Sequence, residues 1–98
     1  DILNLSTKFG IPYKESIEDK DIDPVFLEKL SLSFVKGNLI FPLKKEGGKL
    51  LVAISDIKAI FALDDIGRFF SIQTSPVLST RQQILNAIHR FYERISGL

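Results

Sequence analysis

Gly47 and Gly48, set between the apolar runs at residues 39–43 and 50–54, constrain this chain more than any other feature. Neither glycine carries a Cβ, so both accept the positive φ of a two-residue hairpin loop. The spacing predicts a β-hairpin over residues 39–55 in which Glu46 faces Lys49, Leu43 faces Val52 and Phe41 faces Ile54. In that register Leu39, Phe41, Leu43, Leu50, Val52 and Ile54 share one face, the core side, and Ile40, Pro42, Lys44, Leu51, Ala53 and Ser55 fall on the other. The second face is only half apolar, which leaves it thinly covered, exposed or available for docking.

A chain of 98 residues supports one domain with a real hydrophobic core. Thirteen basic against twelve acidic residues leave a formal charge of +1 and a pI of about 8.2, with charges scattered along the chain. That is not the concentrated basic footprint of a nucleic-acid binder. No cysteine is present, which removes disulfides, thiolate chemistry and cysteine-based zinc sites and suits a reducing compartment. No apolar run approaches the roughly 18 residues of a membrane span, so the chain reads as soluble. It begins at Asp1 rather than Met and reads as a piece of a longer protein.

Taken in order, Ile2, Leu5 and Phe9 recur at helical spacing, and Gly10 with Pro12 behind it stops the helix. Residues 11–22 are polar and charged and read as a solvated surface connector. Asp23-Pro24 is a helix start, since Asp accepts from the first-turn amides and Pro gives up an N–H that has no partner there. Phe26, Leu27 and Leu30 supply its apolar stripe, and residues 32–36 form a second short turn ended by Gly37-Asn38. Beyond the hairpin, Ser55-Asp56 caps a helix over residues 57–67 whose apolar stripe holds Ile57, Ile60 and Phe61. A strand follows over residues 71–78, in which Pro76 argues for an edge or a strand end because it cannot donate to a ladder. Ser79-Thr80-Arg81-Gln82 matches a capping box with Ser79 as the cap. The last helix then runs over residues 80–95, seamed by Ile84, Ile88, Phe91 and Ile95, with Gly97 as its stop.

The order ααββαβα implies an α+β fold: a three-stranded mixed sheet, built from the hairpin and a βαβ crossover, packed with helices. The crossover makes the second and third strands parallel, and Pro42 favours the first strand at an edge with residues 50–54 central.

Few residue groupings carry chemistry. Gly47-Gly48-Lys49 resembles a fragment of a phosphate loop, yet Leu43 and Leu50 stand where that motif needs Gly and Ser or Thr. His89 has only Glu93 at a ligand spacing, one helical turn on, where a surface pair is the ordinary reading. Asp64-Asp65 reads as a solvated helix face and the aspartates between 19 and 23 as loop. No G-x-S-x-G elbow accompanies the single histidine, so no catalytic triad is assembled. Phe69-Phe70, read as extended, turns one ring to each side, so one of the two is either buried by a helix or left for a partner.

Phe9-Gly10-Ile11-Pro12-Tyr13, Ile22-Asp23-Pro24, the run from Leu30 to Phe34, and Leu43-Lys44-Lys45-Glu46-Gly47-Gly48-Lys49-Leu50-Leu51-Val52-Ala53 follow one another at a familiar spacing. In this order the chain resembles the N-terminal domain of the type II secretion system ATPase, its E component, and of the type IV pilus assembly ATPases. The resemblance extends through Asp56, the Pro76-Val77 strand and the helix from Ile84 to Tyr92. Leu32 stands where that family often has Pro, Gly37-Asn38 where it has Arg-Tyr, and Ile57 where it has Pro. Some members bind cyclic di-GMP through an upstream motif; here only its last turn, around Leu5 to Gly10, remains, with Lys8 near a usual Gln.

The resemblance implies a single non-catalytic adaptor domain over residues 1–98, with residues 1–22 a helix end and connector. It would couple a hexameric motor in the cytoplasm to the cytoplasmic part of an inner-membrane secretion or pilus assembly protein. Its location would be peripheral to the bacterial inner membrane, without insertion and without nucleic acid. ATP and Mg would belong to the motor domain of the parent chain, and none of the cofactors to this part. The residues expected to meet a partner are Phe69, Phe70, Leu51, Lys36 and Lys44; the alternative function is cyclic di-GMP sensing.

Overall fold

The apolar runs and capped stripes fold in the expected order, with the second helical segment divided in two, as a computed structural model describes over residues 2–95, with side chains through Tyr92. Helix α1 (Ile2–Phe9) ends at Gly10, whose φ is +66°. Helix α2 (Pro24–Glu28) is capped by the Asp23 carboxylate, which accepts from the Val25 amide at 3.1 Å. Helix α3 (Leu32–Asn38) is capped by Ser31, whose hydroxyl oxygen accepts from the Phe34 amide at 3.1 Å. Strands β1 (Ile40–Glu46) and β2 (Lys49–Ile54) form the hairpin, with Gly47 and Gly48 at φ +60° and +80° as a two-residue turn requires. A single 3₁₀ turn at Ile57–Ala59 leads into α4 (Ile60–Phe70); β3 (Gln73–Leu78) and α5 (Arg81–Ile95) complete the chain.

The sheet order is β1-β2-β3, with β1 antiparallel and β3 parallel to the central β2. Near the turn the hairpin register is the expected one, Glu46 opposite Lys49 and Lys45 opposite Leu50. It then slips by one residue at a β-bulge. Leu43 and Lys44 stand against Leu51 alone, so Val52 faces Pro42, Ala53 faces Phe41 and Ile54 faces Ile40. The shared face expected for Phe41, Leu43, Val52 and Ile54 is therefore wrong. Val52 and Ile54 join Ile40, Leu50 and Leu78 against Ala62, Leu63 and Ile66 of α4, whereas Phe41 and Leu43 join Ala53 against Ile84, Ala87, Ile88 and Phe91 of α5. Both faces are core: of the residues expected on a thinly covered face, Leu51 and Ala53 lie under α5, where the Phe41 and Phe91 rings sit 5.9 Å apart, and Ile40 packs on the α4 side.

Helix α2 closes the β1 edge. The Asp23 amide donates to the Leu43 carbonyl at 2.9 Å, and the neighbours Phe26 and Leu27 enter the α4-side and α5-side clusters respectively. Pairing an edge with a covering element keeps its free backbone groups from recruiting another strand. At the opposite edge Leu78 is bracketed by Pro12 and Lys14: its amide donates to the Pro12 carbonyl at 2.8 Å and its carbonyl accepts from the Lys14 amide at 2.7 Å.

Residues 11–22 are not simply solvated. Ile11, Ile17 and Ile22 are buried, and the segment is a strap laid over the sheet and α5. Arg90 holds it by donating from its guanidinium to the Ile17 carbonyl at 2.8 Å and pairing with Asp19 at 3.7 Å. Asp21 accepts from the Glu18 amide at 2.9 Å and pairs with Lys14 at 3.2 Å. Burial raises the Asp21 pKa, but the Glu18 amide and the Lys14 ammonium outweigh it and hold the carboxyl below its ordinary 3.8.

Helix ends account for the other corrections. Gly37 and Asn38 lie inside α3, and Leu39 takes the left-handed conformation at φ 53°. Helix α4 starts at Ile60 and passes Gly67 to end at Phe70, with Ser71 left-handed at φ 53°. Thr80, not Ser79, caps α5, accepting from the Gln83 amide at 3.2 Å, while the buried Ser79 donates its hydroxyl to the Lys14 carbonyl. The Ile95 side chain and Gly97 lie outside the described residues.

These contacts can be checked by two substitutions. Alanine normally gains about 1 kcal/mol over glycine inside a helix, but a Cβ at Gly67 would stand 2.9 Å from the Ile72 carbonyl oxygen. Gly67→Ala is expected to lose about 1–2 kcal/mol of stability, read as a lower urea midpoint; a higher midpoint contradicts the close approach. Because the Asp21 carboxyl is depressed in the folded state, its stabilisation is complete above the ordinary carboxylate pKa and is lost as pH falls through the folded value. Asp21→Asn should therefore be less stable than the parent chain at neutral pH and lose less stability on acidification. Parallel stability–pH curves would contradict the strap's anchor.

Candidate functional site

The five residues expected to meet a partner fall in three places. Phe69 and Phe70 are not extended; they form the last turn of α4, about 100° apart around its axis. Phe70 is half-buried and meets the Phe26 ring edge-on at 5.1 Å, whereas Phe69 is 61% exposed and leans on Phe70 at 4.9 Å. Leu51 and Lys44 meet across the bulge, lining a hollow of about 250 Å³ with Leu43, Val77 and strap residues. Lys36 is exposed on α3, apart from both groups.

Phe69 marks one wall of a groove of about 300 Å³ between α4 and the α2–α3 junction, lined by Lys29, Leu30, Ser31, Phe34, Asp65, Ile66 and Phe69. One wall is formed by Leu30, which precedes the Ser31 cap, with Phe34 of α3, and the other by Ile66 and Phe69, three residues apart on α4. Asp65 pairs with Arg68 one turn on. The Tyr92 hydroxyl donates to the Leu30 carbonyl at 3.2 Å and fastens α5 beneath the rim; burial raises the pKa of that phenol. Phe61, expected on the buried stripe, is instead 77% exposed, two turns before Phe69 on α4. Leu30, Phe34, Ile66 and Lys29 are not among the site residues expected from sequence; their spacing marks the groove only once α4 is carried to Phe70.

A larger crevice of about 580 Å³ opens beyond the carboxyl ends of β2 and β3, with Asn38, Asp56, Lys58, Thr80 and Arg81 among its walls. Asp56 and Thr80 already cap the helical turns that start there, Asp56 accepting from the Lys58 amide at 3.0 Å and Thr80 from the Gln83 amide. The aspartates read as loop or solvated face have structural tasks: Asp19 and Asp21 tie the strap, Asp23 caps α2 and Asp65 pairs within α4. Among the described residues no group of three or more His, Cys, Asp and Glu side chains is placed to hold a metal, and no helix is long and apolar enough to cross a membrane.

The fold and the groove can be set beside known proteins. The chain is 28% identical over 88 residues to the Type IV pilus assembly ATPase PilB of Myxococcus xanthus, covering 90% of this chain and 15% of that protein. It is 29% identical over 93 residues to the protein of the same name from Thermus thermophilus, covering 90% of this chain and 10% of the relative. The solved N-terminal domain of XpsE superposes with a TM-score of 0.78 at 22% identity over 93% of this chain and 64% of that one. A solved structure of MshE with cdg gives 0.72 at 17% identity over 93% and 66%. The structural likenesses bear on the fold, and the chain spans only a small part of the two pilus ATPases. The family described as the MshEN domain matches residues 9–98, and the chain belongs to it.

Proposed function

We propose that this domain is the N-terminal adaptor of a type II secretion or type IV pilus assembly ATPase, docking on the cytoplasmic part of an inner-membrane assembly component so that motion of the motor reaches it. The observation that carries this reading is Phe69, a large ring left 61% exposed over an apolar groove on the fold of a family found in pilus ATPases. Exposed aromatics beside a pocket with a charged rim are the usual anchors of a transient interface. ATP hydrolysis and its Mg belong, in this reading, to the motor region of the parent chain, and the domain works in the cytoplasm at the membrane surface. Lys36, Lys44 and Leu51, away from the groove, contribute secondary contacts or none.

Calorimetric titration of the chain with the soluble part of the membrane component tests this. The parent chain should bind, and Phe69→Asp should weaken binding at least about tenfold with an unchanged melting curve, because Phe69 is mostly exposed. Phe70 is a poor site for that test, since it packs on Phe26. No detectable binding of the parent chain overturns the adaptor reading. A melting curve raised by cyclic di-GMP in place of such binding transfers the assignment to nucleotide sensing.

A further inference from the structure

Helix α5 reaches outside its own backbone bonds with three polar side chains. The Gln83 side-chain oxygen accepts from the Ile17 amide at 3.3 Å and the Arg90 guanidinium donates to the Ile17 carbonyl at 2.8 Å, so both backbone groups of Ile17 are held and the strap is fixed. Tyr92, two residues beyond Arg90 and about 200° around the helix axis, reaches the α2–α3 junction instead. Its hydroxyl donates to the Leu30 carbonyl.

The Leu30 carbonyl and the Ser31 nitrogen belong to one rigid peptide plane, and that plane is the joint between α2 and α3. On its α2 side the Leu30 amide donates to the Leu27 carbonyl at 3.2 Å. On its α3 side Ser31 carries the first turn: its hydroxyl oxygen accepts from the Phe34 amide at 3.1 Å and its carbonyl from the Val35 amide at 3.2 Å. Turning the plane changes ψ of Leu30 and φ of Ser31, torsions that direct α3 relative to α2 and so move Phe34 relative to Leu30. Those two residues are one wall of the groove. Ile66 and Phe69, the other wall, stand on α4, outside the joint.

We propose that Tyr92 is the positioning residue of the groove: lying outside its lining, the hydroxyl locks the Leu30–Ser31 peptide and so sets where the Leu30–Phe34 wall stands opposite Phe69. Phenylalanine in its place keeps the ring on the α5-side cluster but leaves a part-buried carbonyl without its donor. The role rests on the adaptor reading and adds to it the residue that keeps the docking site in shape.

Hydrogen exchange and calorimetry on Tyr92→Phe provide the test, with Gln83→Ala as the control that removes a tie of the same helix to the strap. In Tyr92→Phe the Phe34 and Val35 amides should exchange about fivefold faster than in the parent chain, beyond any rise at the Val52 amide of the central strand. Affinity for the soluble part of the membrane component should fall by a similar factor. Phe69→Asp should then cost less affinity in the Tyr92→Phe background than in the parent chain, because both changes act on one contact. Gln83→Ala should leave the Phe34 exchange and the affinity unchanged. An equal rise at Phe34 and Val52, or the same changes from Gln83→Ala, makes Tyr92 a general stabiliser and overturns the proposal. Faster exchange at Phe34 with unchanged affinity, or losses that simply add to those of Phe69→Asp, also overturns it and leaves the adaptor reading standing. If the parent chain does not bind the membrane component, the adaptor reading fails and the positioning role falls with it.

Discussion

Strand β2 must be kept from water on both of its faces, and the rest of the molecule is arranged around that need. Leu50, Val52 and Ile54 project to one side and Leu51 and Ala53 to the other, so a single helical layer would leave one set wet. Helix α4 covers the first side and α5 the second. Burying a large apolar side chain contributes about 1.5–3 kcal/mol, and two clusters of such side chains meet across one three-stranded sheet. The crossover that makes β3 parallel to β2 places α4 on one face, and the turn at Ser79 and Thr80 sends α5 back across the other.

The same burial explains why the register resisted inference from sequence. An alternating pattern specifies a strand's register only when one alternation is polar, and residues 39–43 and 50–54 are apolar throughout. Two Gly in the turn correctly set the pairing of Glu46 with Lys49 and Lys45 with Leu50, because that is local. The bulge at Leu43 and Lys44 coincides with a tertiary contact, the Asp23 amide on the Leu43 carbonyl where α2 closes the edge. The element order survives the slip, since exchanging the strand's faces alters which helix each residue meets and not the existence of the strand.

The starts at Asp23 and Asp56 and the stop at Gly10 were readable, whereas the cap of α5 and the stops of α3 and α4 were misplaced. Asp23 and Asp56 cap with side chains whose chemistry is visible in the sequence. The stops expected at Gly37 and Gly67 fail because both glycines are helical, and the left-handed residues are Leu39 and Ser71. An L-residue pays about 1 kcal/mol or more for that conformation, so surrounding contacts must hold it. At Ser71 the Ile72 amide reaches the Gly67 carbonyl at 3.0 Å, and Gly67 serves as the bare surface that lets the chain turn back so tightly. Carrying α4 to Phe70 is what brings Phe69 to the groove, so the candidate site was hidden by the same misplaced stop.

The hydrogen bond from Tyr92 to the Leu30 carbonyl has a mechanical meaning. Leu30 forms part of the groove rim, and Tyr92 sits near the far end of the 15-residue helix α5. The bond ties the α2–α3 junction to α5 across 62 positions of sequence, so the rim cannot part from that helix without giving up a part-buried hydrogen bond.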